Sequence, residues 1–244
     1  MQLKYRGQRQ RNRSFFKNII EKHIAPFFEY SFINDVKESD IVLFFSDLTG
    51  GKNIFSIQHN LSGNTINLIR TVLGSIMKSA TDKKLIEKNP IYSVARVKVF
   101  SKKIEAFSLI EQEYIEKCLE KDEDRRLFGI KICLYTGIRI GELLALEWDD
   151  VDFCQRTIFI NKTVYRTKDK NNHWVTITDN PKTAASLRVI PMPGKLFKEL
   201  KEHKKRAKGK YVIENKIGQQ ISTRTYQYLF ESFLKRNAIK KLNF

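Results

Sequence analysis

The chain has 244 residues, 41% of them apolar, which is room for two modest domains or one large one around a true core. Lys and Arg outnumber Asp and Glu by 45 to 27, giving a formal net charge of +18 and a pI of about 9.8. The longest apolar runs, such as Ile41 to Phe45, are far too short to span a bilayer, so the balance points away from a membrane helix and toward a polyanionic partner, nucleic acid first and an anionic membrane surface second.

Met1-Gln2-Leu3-Lys4-Tyr5-Arg6 is basic with no apolar signal region behind it, which predicts a cytoplasmic protein. Cys118, Cys133 and Cys154 are odd in number and far apart, with no Cys-x-x-Cys spacing. They read as buried thiols; no disulfide framework, metal site or cofactor is expected. Residues 1–13 carry Lys4, Arg6, Arg9, Arg11 and Arg13 among polar neighbours and form a basic arm, serving either phosphate contact or mere solubility.

From Ser14 the pattern is helical. Ser14 can cap a helix that Pro26 kinks or ends, and Ser39 or Asp40 a second helix stopped by Gly50-Gly51. Gly51-Lys52-Asn53 lacks the residues of a phosphate-binding loop. After a loop, Asn64 or Thr65 opens a third helix with Ile66, Ile69, Val72, Leu73, Ile76 and Met77 on one face. A short fourth element, Asp82 to Glu87, ends at Asn89-Pro90. Arg70, Lys78, Lys83 and Lys84 lie on the polar faces of this unit as candidate phosphate contacts, each also readable as a solvated cation. Residues 92–106 read as a linker in which Arg96 and Lys98, candidate DNA-backbone contacts, alternate with valines, and equally as an ordinary exposed strand.

Phe107-Ser108-Leu109-Ile110-Glu111 is a capping box behind an apolar staple residue and opens the next domain. Leu127 to Tyr135 is almost wholly apolar and predicts a buried helix end that Gly137 stops with a left-handed turn. Thr136 can cap a second helix from about Ile138 to Leu146. Arg139 then falls in its first turn, where backbone N–H groups favour an anion and a guanidinium matches phosphate oxygens in pairs; Glu142, one turn on, can hold that guanidinium.

The period then changes to 2. Thr157 through Val164 reads as one strand, Asp169-Lys170-Asn171-Asn172 as a turn, Trp174-Val175-Thr176-Ile177 as the returning strand, and Leu187 to Pro191 as a third, giving a small antiparallel sheet. Lys195 to Lys205 is an amphipathic helix with Leu196, Phe197 and Leu200 inward, and Ser222 or Thr223 caps a last helix that stops near Asn237. His23, His59 and His203 sit on polar or mixed faces and read as solvated; Ser186 and His173 have no catalytic spacing.

The string Thr136-Gly137-Ile138-Arg139-Ile140-Gly141-Glu142-Leu143, followed by Leu146, Trp148, Asp150, Val151 and Asp152, resembles the first active-site segment of the tyrosine recombinases, the phage-type integrases. Pro181-Lys182-Thr183, with Ser186, Arg188, Ile190 and Pro191 behind it, is similar to that family's sheet-turn segment. The resemblance implies a mainly α fold with a small antiparallel β-sheet, in which a helical, SAM-like core-binding domain (14–91) precedes the linker and an α+β catalytic domain (107–244). It implies that Arg139 contacts the scissile phosphate and that Lys182 protonates the leaving 5′ oxygen from the minor groove. Glu142 would orient Arg139. Lys168 and Lys170 are the fallback lysines, and Arg188 is a backbone contact or a structural residue. The partner would be double-stranded DNA at attachment sites, with self-association into a synaptic tetramer and no membrane.

In that family a His-x-x-Arg motif and the nucleophilic Tyr follow the last helix. Neither stands in these 244 residues, which end at Leu242-Asn243-Phe244. The expectation is therefore a site-specific recombinase or integrase working through a 3′-phosphotyrosine intermediate, here C-terminally truncated and without its nucleophile. A catalytically inactive DNA-binding remnant that occupies recombination sites remains the alternative, so whether the chain is an enzyme stays open.

Overall fold

The computed structural model describes residues 15–50, 61–99, 105–169, 171, 173–179 and 187–240. The basic arm, the Ser14 cap, the Gly51-Lys52-Asn53 stretch, His59, Lys170, Lys182 and Ser186 lie outside the described residues. The chain divides into two compact units that part near residue 104.

In the N-terminal unit, residues 15–19 are helical and run into a π-helical turn, Ile20–Ile24, and a short helix α1, Ala25–Phe28. Pro26 does not end the run, which continues to Phe28. Ala25 N–H reaches back five residues to Ile20 O, and this wider turn absorbs the ring and missing donor of Pro26 at the start of α1. Helix α2 (Glu38–Gly50) starts two or three places earlier than expected: Asp40 does not cap it but reaches back from the first turn to accept Lys37 N–H at 2.9 Å. Helix α3 (Gly63–Asp82) is capped by neither Asn64 nor Thr65. The Ser62 hydroxyl accepts Thr65 N–H, and a β-region backbone at Ser62 puts it in place.

The fourth element at 82–87 does not form. Lys84 adopts a left-handed φ of 58° and Leu85 N–H returns to Ala80 O at 2.9 Å, so α3 closes on itself before Asn89-Pro90 is reached. A 3-10 turn, Pro90–Ser93, follows. The core combines Ile41, Phe44, Phe45 and Leu48 of α2 with Ile66, Ile69, Val72, Leu73 and Met77 of α3. The chain beyond it is fastened rather than free: the Asn67 amide exchanges two 2.9 Å hydrogen bonds with the backbone of Val97, and Arg70 Nε donates to Val94 O at 2.9 Å.

The C-terminal unit opens with α4 (Leu109–Glu120), whose Ser108–Glu111 capping box forms as the sequence predicts. Then come a 3-10 turn Arg125–Leu127, α5 (Phe128–Thr136), α6 (Ile140–Leu143) and a 3-10 turn Trp148–Asp150. Strands β1 (Val151–Asp152), β2 (Thr157–Ile160), β3 (Thr163–Lys168), β4 (Trp174–Asp179) and β5 (Arg188–Pro191) precede α7 (Gly194–Lys205) and α8 (Thr223–Arg236), the latter capped by Ser222.

The expected single strand over 157–164 is two strands in two sheets. β1, β2 and β5 form one antiparallel sheet, with Ile160 opposite Arg188, and β3 and β4 form a separate hairpin, with Lys168 opposite Trp174. The break falls where Asn161 bonds Asp150 Oδ1 at 2.7 Å and Lys162 Nζ sits 2.7 Å from Glu147 and 3.0 Å from Asp150, polar ties that turn the chain between the sheets. The hairpin packs on α6 through a very close approach. A Cβ on Gly141 would meet Thr163 Oγ1 at 2.6 Å and Val164 O at 2.7 Å, the latter a backbone atom that cannot swing aside.

Ile132, Leu143, Leu144, Ile158, Leu196, Leu200, Val212 and Tyr226 form the main core of this unit, with a second cluster around Ile115, Leu127, Ile130 and Phe233. Lys131, 5% exposed, joins α5 to α7 through Glu199 at 2.7 Å. His203 is not a solvated side chain as expected: it stacks on Phe128 at 4.5 Å, and Nε2 bonds Val212 O at 2.9 Å. Burial pushes its pKa down to about 4. Nor are all three thiols buried. Cys154 is exposed, because Asp152 Oδ1 accepts the N–H groups of Cys154 and Gln155 at 2.8 Å and holds that turn in solvent. Cys118 and Cys133 are partly buried. Among the described residues, no helix is long and apolar enough to cross a membrane.

Gly141→Ala is expected to cost the C-terminal unit about 1–3 kcal/mol, read from chemical denaturation, because the backbone of β3 must move to admit one methyl. His203 is favoured neutral in the folded state, so its contribution is intact above the unfolded value near 6.5 and is lost as pH falls toward about 4. NMR of its ring protons should show no titration at pH 5, about where an exposed histidine is already protonated.

Candidate nucleic-acid interface

The site is built by the turn between α5 and α6. Gly137 takes φ 64°, and its N–H closes on Cys133 O at 2.8 Å, ending α5 where the sequence predicts. Thr136 does not cap the next helix. Its hydroxyl donates back to Ile132 O at 2.5 Å and lies 3.5 Å from Ile138 N, and the chain leaves the helix through Ile138, which is 4% exposed and anchors the turn in the core. Arg139 is therefore the residue before the helix, at φ −76° and ψ 152°, and not part of its first turn. Helix α6 is a single turn ending at Leu143, shorter than the expected run to Leu146.

What fixes Arg139 is Glu142. The carboxylate accepts Arg139 N–H on Oε2 at 2.9 Å and Arg139 Nη1 on Oε1 at 3.2 Å. It also accepts both terminal nitrogens of Arg188, at 3.0 and 2.7 Å, in a bidentate pair. The Glu142 side chain is 8% exposed and that of Arg139 is 79% exposed. Burial alone would raise the Glu142 pKa; the Arg188 hydrogen bonds, the Arg139 N–H and the Arg188 charge overrule it and hold the carboxyl below the ordinary glutamate range. The result is a carboxylate buried between two guanidinium groups, one of which points its remaining donors at solvent. What the turn presents to solvent is thus a guanidinium held in place, since the Arg139 N–H is already taken by Glu142.

The acidic end of the motif is structural. Glu147 pairs with Lys162 and Lys210, each at 2.7 Å, and Asp150 with Lys162, holding β1 and the segment at 210–212 around Trp148. Glu147 N–H closes on Asp150 Oδ2, and Val212 N–H on Leu146 O. Gln220 ties the hairpin to the motif by donating to Leu144 O at 3.1 Å while it touches Thr178.

Of the other residues singled out from sequence, Lys78, Lys83, Lys84, Arg96 and Lys98 are exposed on the N-terminal unit. Arg70 spends donors on the carbonyls of Val94 and Ile91. Lys168 lies on the hairpin with its ammonium 5.4 Å from the Trp174 ring, which Arg166 also covers at 4.8 Å. Arg188 joins Arg139 and Glu142 directly. Sequence reasoning missed that partnership because 46 residues separate Arg188 from Glu142, and nothing local in a strand arginine announces its partner. Among the described residues, no group of His, Cys, Asp or Glu is arranged to hold a metal ion.

Residues 109–244, more than half of the chain, match the sequence profile of the phage integrase family. The chain belongs to the phage integrase family. The ICEBs1 integrase of Bacillus subtilis (strain 168) is 26% identical over 226 residues, covering 91% of this chain and 56% of that protein. The integrase of Staphylococcus phage L54a is 40% identical over 92 residues, 38% of this chain and 23% of the relative. The chain spans about half the length of the curated relatives it matches most fully. Among solved structures, the Tn1549 transposon integrase in complex with a circular intermediate DNA is similar at a TM-score of 0.75 and 20% identity, over 95% of this chain and 73% of that one. A lambda integrase dimer bound to a COC′ core site is similar at 0.64 and 16%, over 95% and 76%. The fold is thus that of an integrase: helical, with small antiparallel sheets.

The Glu142 carboxyl titrates low in the folded state, so its contribution to stability is present above the unfolded value and is lost as pH falls through the folded one. Glu142→Gln should therefore remove part of the acid limb of a melting-temperature profile below about pH 4.3 and leave its slope between pH 6 and 8 unchanged.

Proposed function

We propose that this chain is the DNA-gripping part of a site-specific recombinase that breaks and rejoins DNA through a 3′-phosphotyrosine, and that Arg139 binds the scissile phosphate. One observation carries the reading: the Arg139 guanidinium is fixed at its base by Glu142 yet 79% exposed. A guanidinium held in that way presents paired donors to two non-bridging phosphate oxygens without first being immobilised by the ligand. As a nucleophile adds to phosphorus, charge grows on those oxygens, and fixed donors stabilise it more than they stabilise the starting diester.

By the family likeness, Lys182 would give its proton to the leaving 5′ oxygen, and the attacking hydroxyl would be the tyrosine of the family's downstream segment. Lys168 and Lys170 are the lysines that would stand in if Lys182 were not the donor. The net charge of +18, together with exposed Lys78, Lys83, Lys84, Arg96 and Lys98, supports duplex DNA as the partner. The similar Tn1549 and lambda integrase structures contain DNA, and one lambda integrase structure is a tetramer on a Holliday junction; the same class of substrate and assembly is proposed here. A cytoplasmic location belongs to the same reading.

Affinity of the chain for a duplex should fall steeply and log-linearly with salt as counterions are released; a flat response would remove DNA as the partner. In a protein that joins these residues to the family's tyrosine, Arg139→Ala is expected to lower strand cleavage by roughly a hundredfold or more while leaving duplex affinity within about tenfold. Undiminished cleavage by that variant would sink the role given to Arg139.

A further inference from the structure

We propose that Arg188 is a positioning residue for Arg139: by taking the buried Glu142 carboxylate bidentately it supplies that carboxylate's counter-charge and leaves the Arg139 guanidinium free for a phosphate. The proposal rests on the reading of Arg139 just given.

Three charged groups meet here, two guanidinium ions and one carboxylate, so the cluster carries one net positive charge. Its distribution is uneven. Arg188 gives Glu142 two hydrogen bonds, at 3.0 and 2.7 Å, and its side chain is 31% exposed. Arg139 gives one guanidinium nitrogen, at 3.2 Å, and is 79% exposed. The bonds to Arg188 are thus the shorter and the more sheltered, and Arg188 is the main counter-ion. Its backbone is in turn held by the sheet, since β5 pairs with β2 and sets Arg188 opposite Ile160. Position therefore passes from a rigid strand through Arg188 to Glu142, and from Glu142 to the backbone and side chain of Arg139.

Without Arg188 the carboxylate would have Arg139 alone. At neutral pH the two would make a net-neutral pair, and a phosphate would have to compete with Glu142 for the same donors. A further titratable group near Glu142 is Cys133 of α5. Burial first, and the Glu142 charge second, keep its thiol protonated. β3, which packs on Gly141, brings Thr163 and Val164 to this point.

The test follows the Arg139 Nε–H resonance by 1H–15N NMR during titration with inorganic phosphate, the peak being assigned by its loss in Arg139→Ala. In the wild type it should be dispersed before phosphate is added and shift with it. Arg188→Ala should weaken phosphate binding about five- to tenfold at neutral pH, the effect of one unscreened charge near a partly exposed site. Binding to that variant should then strengthen as pH falls and Glu142 takes a proton. Adding Glu142→Gln to Arg188→Ala should restore affinity, because the charge balance returns to one. Should Arg188→Ala not fold, the pair Arg188→Gln with Glu142→Gln, which keeps an amide–amide contact and one net positive charge, should bind phosphate as the wild type does, and Arg188→Gln alone should bind it about five- to tenfold more weakly. Wild-type binding by Arg188→Ala overturns the proposal, as does weak binding that neither low pH nor Glu142→Gln repairs, since that pattern marks a purely structural role. A wild-type resonance that ignores phosphate but collapses in Arg188→Ala overturns the phosphate reading of Arg139 and leaves the clamp standing.

Discussion

The buried Glu142 carboxylate is the constraint on which the C-terminal unit's site depends. A carboxylate at that depth is costly unless its oxygens are filled, and here two guanidinium groups and a backbone N–H fill them. Much of the local structure serves this arrangement. Gly137 reverses the chain so that Arg139 leaves α5 extended, Ile138 nails that extension to the core, and the single turn of α6 brings Glu142 back beneath it. The sheet supplies Arg188 from the far side.

The same logic runs through the rest of the unit, and it qualifies what a net charge of +18 means. Several cations are occupied internally: Lys131 by Glu199 across two helices, Lys162 and Lys210 by Glu147, Lys195 by Glu116, and Arg126 by Asp124. Sheltered pairs such as Lys131–Glu199 act as cross-braces, since removing one partner strands the other charge out of water. The exposed ones contribute little to stability. The positive field that a polyanion meets comes from the cations left over, those at 78, 83, 84, 96, 98 and 139 prominent among them.

Features that depend on neighbours in the chain could be read from the sequence. The Ser108–Glu111 box, the left-handed stop at Gly137, the cap at Ser222 and the inward face of α7 all rest on residues within a turn or two of one another. Where two local rules competed, the reading slipped. Ser62 beat Asn64 and Thr65 as a cap because its backbone is extended there, and Lys84 accepted a left-handed turn that composition would assign to glycine. Long-range facts were invisible. His203 looks solvated on a helical wheel, and only the folded chain shows Phe128 and Val212 around it. The strand over 157–164 looks continuous until Asp150 and Glu147 draw Asn161 and Lys162 aside. The motif located Arg139 and Glu142, but the second arginine of the cluster required the sheet register.

The two-sided clamp has a consequence for inheritance. Glu142 keeps a complete bidentate partner in Arg188 whichever way Arg139 points, so losing Arg139 strands no buried charge. On the function proposed here, a lineage that loses this arginine keeps a well-folded, abundant protein that still covers its DNA. Such an allele would act as a competitor of intact copies in the same cell, and its phenotype would be dominant rather than silent.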